Sequence, residues 1–464
     1  MPTRSPNADL ALRIEQAGWT NGEFARAVNR VGREMGLELR YDESSVWHWL
    51  RGTRPRAGAR AAAREALSRR MGRPVNEADI GMASVEDSSE SVDLGLTVVD
   101  DPVETLGRLG RADIDRRRFL TTAAYSTAGA ALPLGAAGEA AARTDRARAG
   151  GLAGAGEVDA VRHMVAAFTA IDERHGGRHG RSAVVQYLTH DVADLCRARF
   201  ATEPQHRQML SAAASLTYLV GWKAYDAGEM GLAQRYYLQA YSLTREAGDP
   251  AHQAYILRIL AHHGMDNDRP EHVLGLADEA LNRARGRVDQ QTESLFVICR
   301  ARALAASGAD RHRDALAEAE RARTMASATG DEVEGWAQMW GAAAATVDSH
   351  TAKIMAKVGD HRAAERHHAR ARRRYAGTEH QRIAALSAAE EGRAQADQGQ
   401  IEAACATWTA ALDSMQGIRS RRIVKAVKGM RTEINAARVR GSRAARVLDE
   451  RTRLYLAASS DGPR

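Results

Sequence analysis

One internal spacing constrains this chain more than any other feature. Between residues 221 and 411, five segments place small residues and turn formers at relative positions 0, 7, 12, 16 and 19. Gly221, Gly228, Ala233, Tyr237 and Ala240 make the first set, with Pro250 closing the unit. Ala261, Asp268, Val273, Ala277 and Ala280 make the second, and Ala303, Asp310, Ala315, Ala319 and Ala322 the third. Ala352, Gly359, Ala364, His368 and Ala371 follow, then Gly392, Gly399, Ala404, Trp408 and Ala411. Positions 12, 16 and 19 are four and three residues apart, so their side chains share one helical face. Gly or Asp at position 7 tolerates left-handed backbone and reads as a turn between two helices. Small residues let antiparallel helices touch, and a larger one at position 16 fills the gap to the next pair.

The unit starts lie 40, 42, 49 and 40 residues apart, which predicts hairpins with extended first helices. Residues 158–200 are expected to supply one more pair ahead of them. Ile423, Val427, Met430 and Ile434 form the stripe of a terminal capping helix, with Arg422, Lys425, Lys428 and Arg431 on its solvated face.

The amino-terminal region has a different character. Leu10, Ile14 and Ala17 fall at helical spacing. Thr20 or Asn21 is a natural N-cap for a second helix, whose inward stripe is Phe24, Ala25 and Val28. After a longer insert, Arg33 to Arg40, a third short helix starts at Asp42 and stops at Gly52. Val46, Trp49 and Leu50 anchor it, which leaves Ser44, Ser45, Trp47, His48 and Arg51 facing outward. A polar outer face followed by Arg54, Arg56 and Arg60 suits a DNA major groove flanked by phosphates. Trp47 has two readings: it packs on thymine methyls or sugars, or the insert covers it. Residues 1–80 hold 14 arginines, no lysine and 10 acids, a net charge of +4, in keeping with a polyanionic partner.

Trp49-Leu50-Arg51-Gly52-Thr53-Arg54-Pro55 resembles the recognition-helix ending of the xenobiotic-response-element (Cro/repressor-like) helix-turn-helix regulators, over residues 8–82. The insert departs from that family's compact pattern. With Leu67-Ser68-Arg69-Arg70-Met71-Gly72-Arg73-Pro74-Val75, it is similar to a variant found in actinobacterial regulators. The repeat register resembles the tetratricopeptide pattern. Chains joining the two modules include peptide-responsive regulators and actinobacterial regulators of differentiation and secondary metabolism. The resemblance implies an all-α chain with a helix-turn-helix domain and a tetratricopeptide-like α-solenoid over residues 157–456. It also implies double-stranded DNA as one partner and a peptide or protein ligand in a concave groove as another. Tyr218, Trp222, Tyr225, Tyr255, Arg258, His262, Arg300 and Trp340 fall on first helices and would line that groove, although no ladder of ligand-reading asparagines accompanies them. In a homodimer, half-sites one helical turn apart would follow, and partner binding would alter their spacing.

Between the domains, residues 83–156 read as a connecting region. Its first part, 83–105, has seven acids and no base and reads as a solvated spacer. Residues 106–120 read as a short basic helix, and 135–156 are rich in Ala and Gly. Arg116-Arg117-Arg118-Phe119-Leu120, with the mild apolar stretch to Ala137, resembles a twin-arginine export signal. It lies behind a folded domain and is interrupted by Pro133, so export is not expected. Cys196, Cys299 and Cys405 lie about a hundred residues apart without metal or disulfide spacing and read as core fillers of a cytoplasmic protein. The sequence carries no phosphate loop, dinucleotide fingerprint or nucleophile elbow, so no cofactor, metal or enzyme activity is expected. A protein-interaction scaffold that does not bind DNA is the alternative to a regulator.

Overall fold

The computed structural model describes residues 5–34, 37–71, 75, 77, 79–82, 94–96, 101–118, 152–267, 273–328, 333–339, 341–439 and 442–460. The chain divides into two compact units, Met1–Thr97 and Val98–Arg464. Every extended element among the described residues is helical, apart from an isolated bridge between Ala153 and Phe200.

The amino-terminal unit is built from α1 (Ala8–Gln16), α2 (Asn21–Glu34), α3 (Glu43–Leu50) and α4 (Ala57–Met71). Its core is the set that periodicity predicts. Leu10, Ile14, Ala17, Phe24, Ala25, Val28, Val46 and Trp49 are buried together, with Ala62, Ala63, Ala66 and Leu67 of α4. Trp49 is boxed by Phe24, edge-on at 6.3 Å, and by Tyr41 at 4.8 Å. Thr20 caps α2 reciprocally with Glu23: the Glu23 N–H donates to Thr20 Oγ1, and the Thr20 N–H donates to Glu23 Oε2. The insert does not cover Trp47. Leu39 lies against Gly32 of α2, and Leu37 against Gly58 of α4. The Asn29 side chain brackets the Tyr41 backbone by donating to its carbonyl at 2.6 Å and accepting from its N–H at 2.8 Å.

The larger unit begins inside the segment expected to be a linker. Helix α5 (Pro102–Arg118) docks on helical segments further along the chain. Gly110 permits a close crossing, since a Cβ there would stand 2.0 Å from Thr189 Cγ2. Arg116–Arg118 end this helix, and the remainder of the twin-arginine-like segment, 119–137, lies outside the described residues, as do 83–93. Helix α6 (Ala155–His175) is followed by α7 (Arg181–Tyr187), a π-turn (Leu188–Val192) and α8 (Ala193–Arg197).

Among the described residues, six hairpins complete the unit. They are α9 (Glu203–Asp226) with α10 (Met230–Glu246), α11 (Pro250–Asp266) with α12 (Val273–Ala284), and α13 (Gln290–Ser307) with α14 (His312–Met325). A short α15 (Gly335–Gln338) precedes α16 (Ala343–Lys357) with α17 (His361–Tyr375), and α18 (Gln381–Asp397) with α19 (Ile401–Ser414). The last pair is α20 (Arg421–Val439) with α21 (Arg443–Ser460). The stripe at 423–434 is therefore not terminal, because α21 covers it with Ala445 and Leu448.

The repeat register maps onto the hairpins residue by residue. All five position-0 residues are buried, as are those at positions 12, 16 and 19. The turn glycines Gly228, Gly359 and Gly399 have φ of 83°, 88° and 79°, the left-handed backbone the pattern requires. Asp268 lies outside the described residues, and Asp310 sits in a 3-10 turn instead. One detail differs from expectation. The aromatic at position 16 packs first on position 0 of its own hairpin: a Cβ at Gly221 would lie 2.6 Å from Tyr237 Cε1, and one at Gly392 2.5 Å from Trp408 Nε1. Trp408 also donates to the Ala389 carbonyl at 2.8 Å. Helix α6 departs from the expected leading pair, since it packs on both α9 and the distant α18.

Gly392→Ala should therefore overpack the fifth hairpin and lower the stability of the repeat unit by about 1–3 kcal/mol. The check is urea denaturation of the full chain, in which an unshifted midpoint would show that Trp408 can yield at no cost.

Candidate functional site

Two places gather the polar groups that the sequence singles out. The first is the outer face of α3. Asp42 caps this helix: its carboxylate accepts from the Ser45 N–H at 2.8 Å and from the Ser45 hydroxyl at 2.7 Å. The Ser45 hydrogen bonds lower the Asp42 carboxyl below its ordinary value and keep the cap ionised. Ser45 is thus half-buried and committed to the cap, which removes its hydroxyl from the outward set.

Ser44, Trp47, His48 and Arg51 are exposed and lie at i, i+3, i+4 and i+7, opposite the buried Val46 and Trp49. Trp47 is 46% exposed, an unusual condition for an indole. The Arg51 guanidinium carbon stands 4.5 Å from its ring centre, and the His48 ring lies 4.9 Å away. Leu50 closes the anchor, because its carbonyl accepts from the Asn7 N–H at 2.8 Å.

The arginines beyond α3 do not all point outward. Arg56 is exposed. Arg54 is exposed as well, while it donates to the Met82 carbonyl and stands 3.7 Å from Glu77. Arg60 is buried, 3.1 Å from the Glu77 carboxylate and 3.1 Å from the Pro55 carbonyl. Glu77 therefore holds two of the arginines expected to clamp phosphates. Its place 17 residues beyond Arg60 gave no local sign of this.

The second place is the interior of the repeat unit. Tyr218, Trp222, Tyr225, Arg258 and His262 line one chamber of about 120 Å³. Tyr255 lies behind Tyr218, with its ring 5.9 Å away, and does not line it. Arg300 points elsewhere and pairs with Asp278 at 2.6 Å and Glu318 at 3.0 Å. Trp340 lies outside the described residues. The other lining groups come from α10, α11, α13, α16, α17, α18 and α20, Asp266, Lys353 and Arg422 among them. Arg422, read from sequence as part of a solvated face, instead lies over the rings of Trp222 and Tyr225 at 5.1 and 5.4 Å.

Beside this chamber lies a network that sequence reasoning missed. Arg382 meets Asp172 at 2.6 Å, Glu173, and Asp226 at 3.2 Å, and Lys223 meets Asp172 at 3.0 Å; all five side chains are fully buried. Burial would raise the Asp172 carboxyl, but Arg382 and Lys223 outweigh it and hold it low. Burial does raise Glu173 and does lower Lys223. The one local hint was an Asp-Glu pair at the end of an apolar helical stripe.

A larger pocket of about 890 Å³ is bounded by Thr169, Gln208, Ser211, Trp336 and His380. Among the described residues, no cluster of three or more His, Cys, Asp or Glu is arranged to hold a metal ion, and no helix is long and apolar enough to cross a membrane. The three cysteines are free and buried, with burial pushing the Cys196 thiol up to about 12 and Cys299 up to about 11.

Residues 10–83 match the family model of the SP15 N-terminal domain. No curated protein is significantly similar to the chain.

Burial also makes the unit sensitive to acid. His252, stacked on Trp336 at 5.2 Å, and His368 are both depressed to about 3 from an ordinary 6.5. Both stay neutral in the fold but take a proton once unfolded. Their contribution is complete above about pH 6.5 and falls as pH drops toward 3. Urea midpoints at constant ionic strength should show a loss of about 2–3 kcal/mol between pH 7.5 and 5.5 from the two rings. The double variant His252→Gln/His368→Gln should flatten that slope, and an undiminished slope would assign it to other groups.

Proposed function

We propose that the protein is a DNA-binding transcriptional regulator, similar to the xenobiotic-response-element type, whose α3 reads the major groove of duplex DNA. The observation that carries this reading is the row Ser44, Trp47, His48 and Arg51, exposed along one face of a helix fixed at both ends. His48 and Arg51 supply donors to base edges, Trp47 an apolar surface for thymine methyls, and Arg56 a phosphate contact. Arg54 and Arg60 serve the fold through Glu77. The repeat unit is the sensing half. Its peptide or protein partner belongs in the pocket of about 890 Å³ beside Trp336, because the chamber of about 120 Å³ that holds most of the expected groove residues is below the roughly 300–1,000 Å³ typical of ligand pockets. Cytoplasmic action, possession of two DNA-reading heads in a homodimer and control of differentiation or secondary metabolism belong to the same proposal.

The exposed Trp47–Arg51 pair also favours a second reading. Trp and Arg are the side chains that most often anchor protein interfaces, so the same face would serve a scaffold that binds protein and not DNA.

Selection of bound fragments from random duplex DNA, followed by electrophoretic shift with the selected site, separates the two. His48→Ala/Arg51→Ala should abolish specific binding with the melting curve unchanged. Arg56→Ala should weaken binding to all sequences alike and lower the salt slope by about one. Arg54→Ala should instead act mainly on stability. Failure to select any sequence, with stable capture of a protein through Trp47, would establish the scaffold.

A further inference from the structure

The small chamber inside the repeat unit has a composition that structural packing does not explain. Four cationic side chains line it: Arg258 of α11, Arg302 of α13, Lys353 of α16 and Arg422 of α20. Asp266 is the single carboxylate among the described residues that line it. Arg302 takes this carboxylate, at 3.1 Å. Arg258 spends its Nε–H on the Leu295 carbonyl at 2.9 Å. Neither Lys353 nor Arg422 has a carboxylate within 4.0 Å among the described residues. The neighbouring Arg382 network does not supply one, since its three carboxylates already surround Arg382 and Lys223.

Several donors in the chamber lack an acceptor. Arg302 donates to His262 Nδ1 at 3.1 Å, which places the ring proton on Nε2. That Nε2–H is buried and has no acceptor. Arg422 Nη1 is in the same condition. Lys353 makes no hydrogen bond among the described residues, and burial together with Arg302 lowers its ammonium to about 8. Buried donors and like charges gathered without acceptors are costly. The Tyr225 hydroxyl donates to Asp266 at 2.8 Å and so takes up part of the one carboxylate.

We propose that this chamber binds a phosphoryl group and that the body of a small phosphorylated ligand lies in the adjoining pocket. A phosphoryl group brings acceptor oxygens and more than one negative charge, which match the guanidinium forks and the unpaired ammonium. The adjoining pocket, about 530 Å³, shares Tyr225, Asp266, Ser349, Lys353, Ile383 and Arg422 with the chamber, so the two are continuous. This site lies wholly within the repeat unit and does not depend on whether α3 reads DNA.

The test uses the full chain, with inorganic pyrophosphate as probe, in calorimetric titrations and melts at constant ionic strength set with sodium chloride. The expected result is saturable, one-to-one binding with a melting point raised by several degrees. Lys353→Gln and Arg422→Gln should each weaken binding at least tenfold and leave the ligand-free melting point unchanged or higher, because each removes a cation that has no carboxylate partner among the described residues. Asp266→Asn removes the competing carboxylate and should tighten binding, a readout of opposite sign that survives even if the other variants fail to fold. Arg300→Gln, paired with Asp278 and Glu318 away from the chamber lining, should leave binding unaltered. Tighter binding of a nucleoside monophosphate than of inorganic phosphate would assign the adjoining pocket to the ligand body; equal affinities would support the phosphoryl site with a free inorganic anion and overturn the assignment of that pocket. Absence of saturable binding would overturn the proposal. So would variants that lower the ligand-free melting point while binding pyrophosphate as the parent does.

Discussion

Arg382 sits without solvent contact between carboxylates that precede it by as many as 210 residues, and the shape of the repeat unit follows from that placement. Its guanidinium joins α18 to Asp172 and Glu173 on α6 and to Asp226 at the end of α9. Removing so many charges from water is expensive, and the expense is offset only where each lone pair and proton finds a partner. The surroundings supply several. The Ser420 hydroxyl and the Gly177 N–H both donate to Asp226, and Lys223 completes Asp172. The seam is finished by backbone contact: the Arg419 N–H donates to the His175 carbonyl at 2.8 Å, and Gly176 is so close that a Cβ would stand 2.3 Å from the Arg419 carbonyl oxygen. An open stack of hairpins has no need of such a joint, so this one closes its fifth and sixth hairpins onto its start.

The parts of the fold visible in the sequence are those governed by short-range periodicity. A step of four then three between Ala404, Trp408 and Ala411 can only be a helical face, and a glycine at Gly399 can only be a turn in that setting. The core of the amino-terminal unit was legible for the same reason, down to Val46 and Trp49. Features that arise between distant segments were not. Nothing near Arg60 announces Glu77, and nothing near Arg422 announces the rings of Trp222 and Tyr225. A short helix over 106–120 was legible, but its docking was not, because nothing near Asp113 announces Arg181, with which it pairs at 2.7 Å, or the Tyr236 hydroxyl, from which it accepts at 3.1 Å. Of the candidate groove residues, Tyr218, Trp222, Tyr225, Arg258 and His262 come together around one small chamber while Tyr255 and Arg300 lie away from it, a grouping set by contacts between distant helices.

Within the amino-terminal unit the same separation of tasks recurs on a shorter scale. Asp42 and Ser45 spend their polarity on starting α3, Val46 and Trp49 fix its inner side, and what remains exposed is a compact row ending in a tryptophan roofed by arginine. The Arg51 guanidinium lies over one face of the Trp47 ring, so a surface approaching from that side meets a cation, and the rest of the indole stays open. The proposed contacts of this face thus depend on side chains whose positions are set locally, by a helix eight residues long.

The seam at Arg382 has a consequence for how the chain acquires its structure. Most arrays of this kind gain order neighbour by neighbour, and each new module needs only the one before it. Here Asp172, Glu173 and Asp226 cannot reach their final surroundings until a segment some two hundred positions later has left the ribosome. Such delayed pairing across long loops slows assembly. During synthesis the early helices must therefore wait, with their acidic groups still hydrated, for the arginine that completes them.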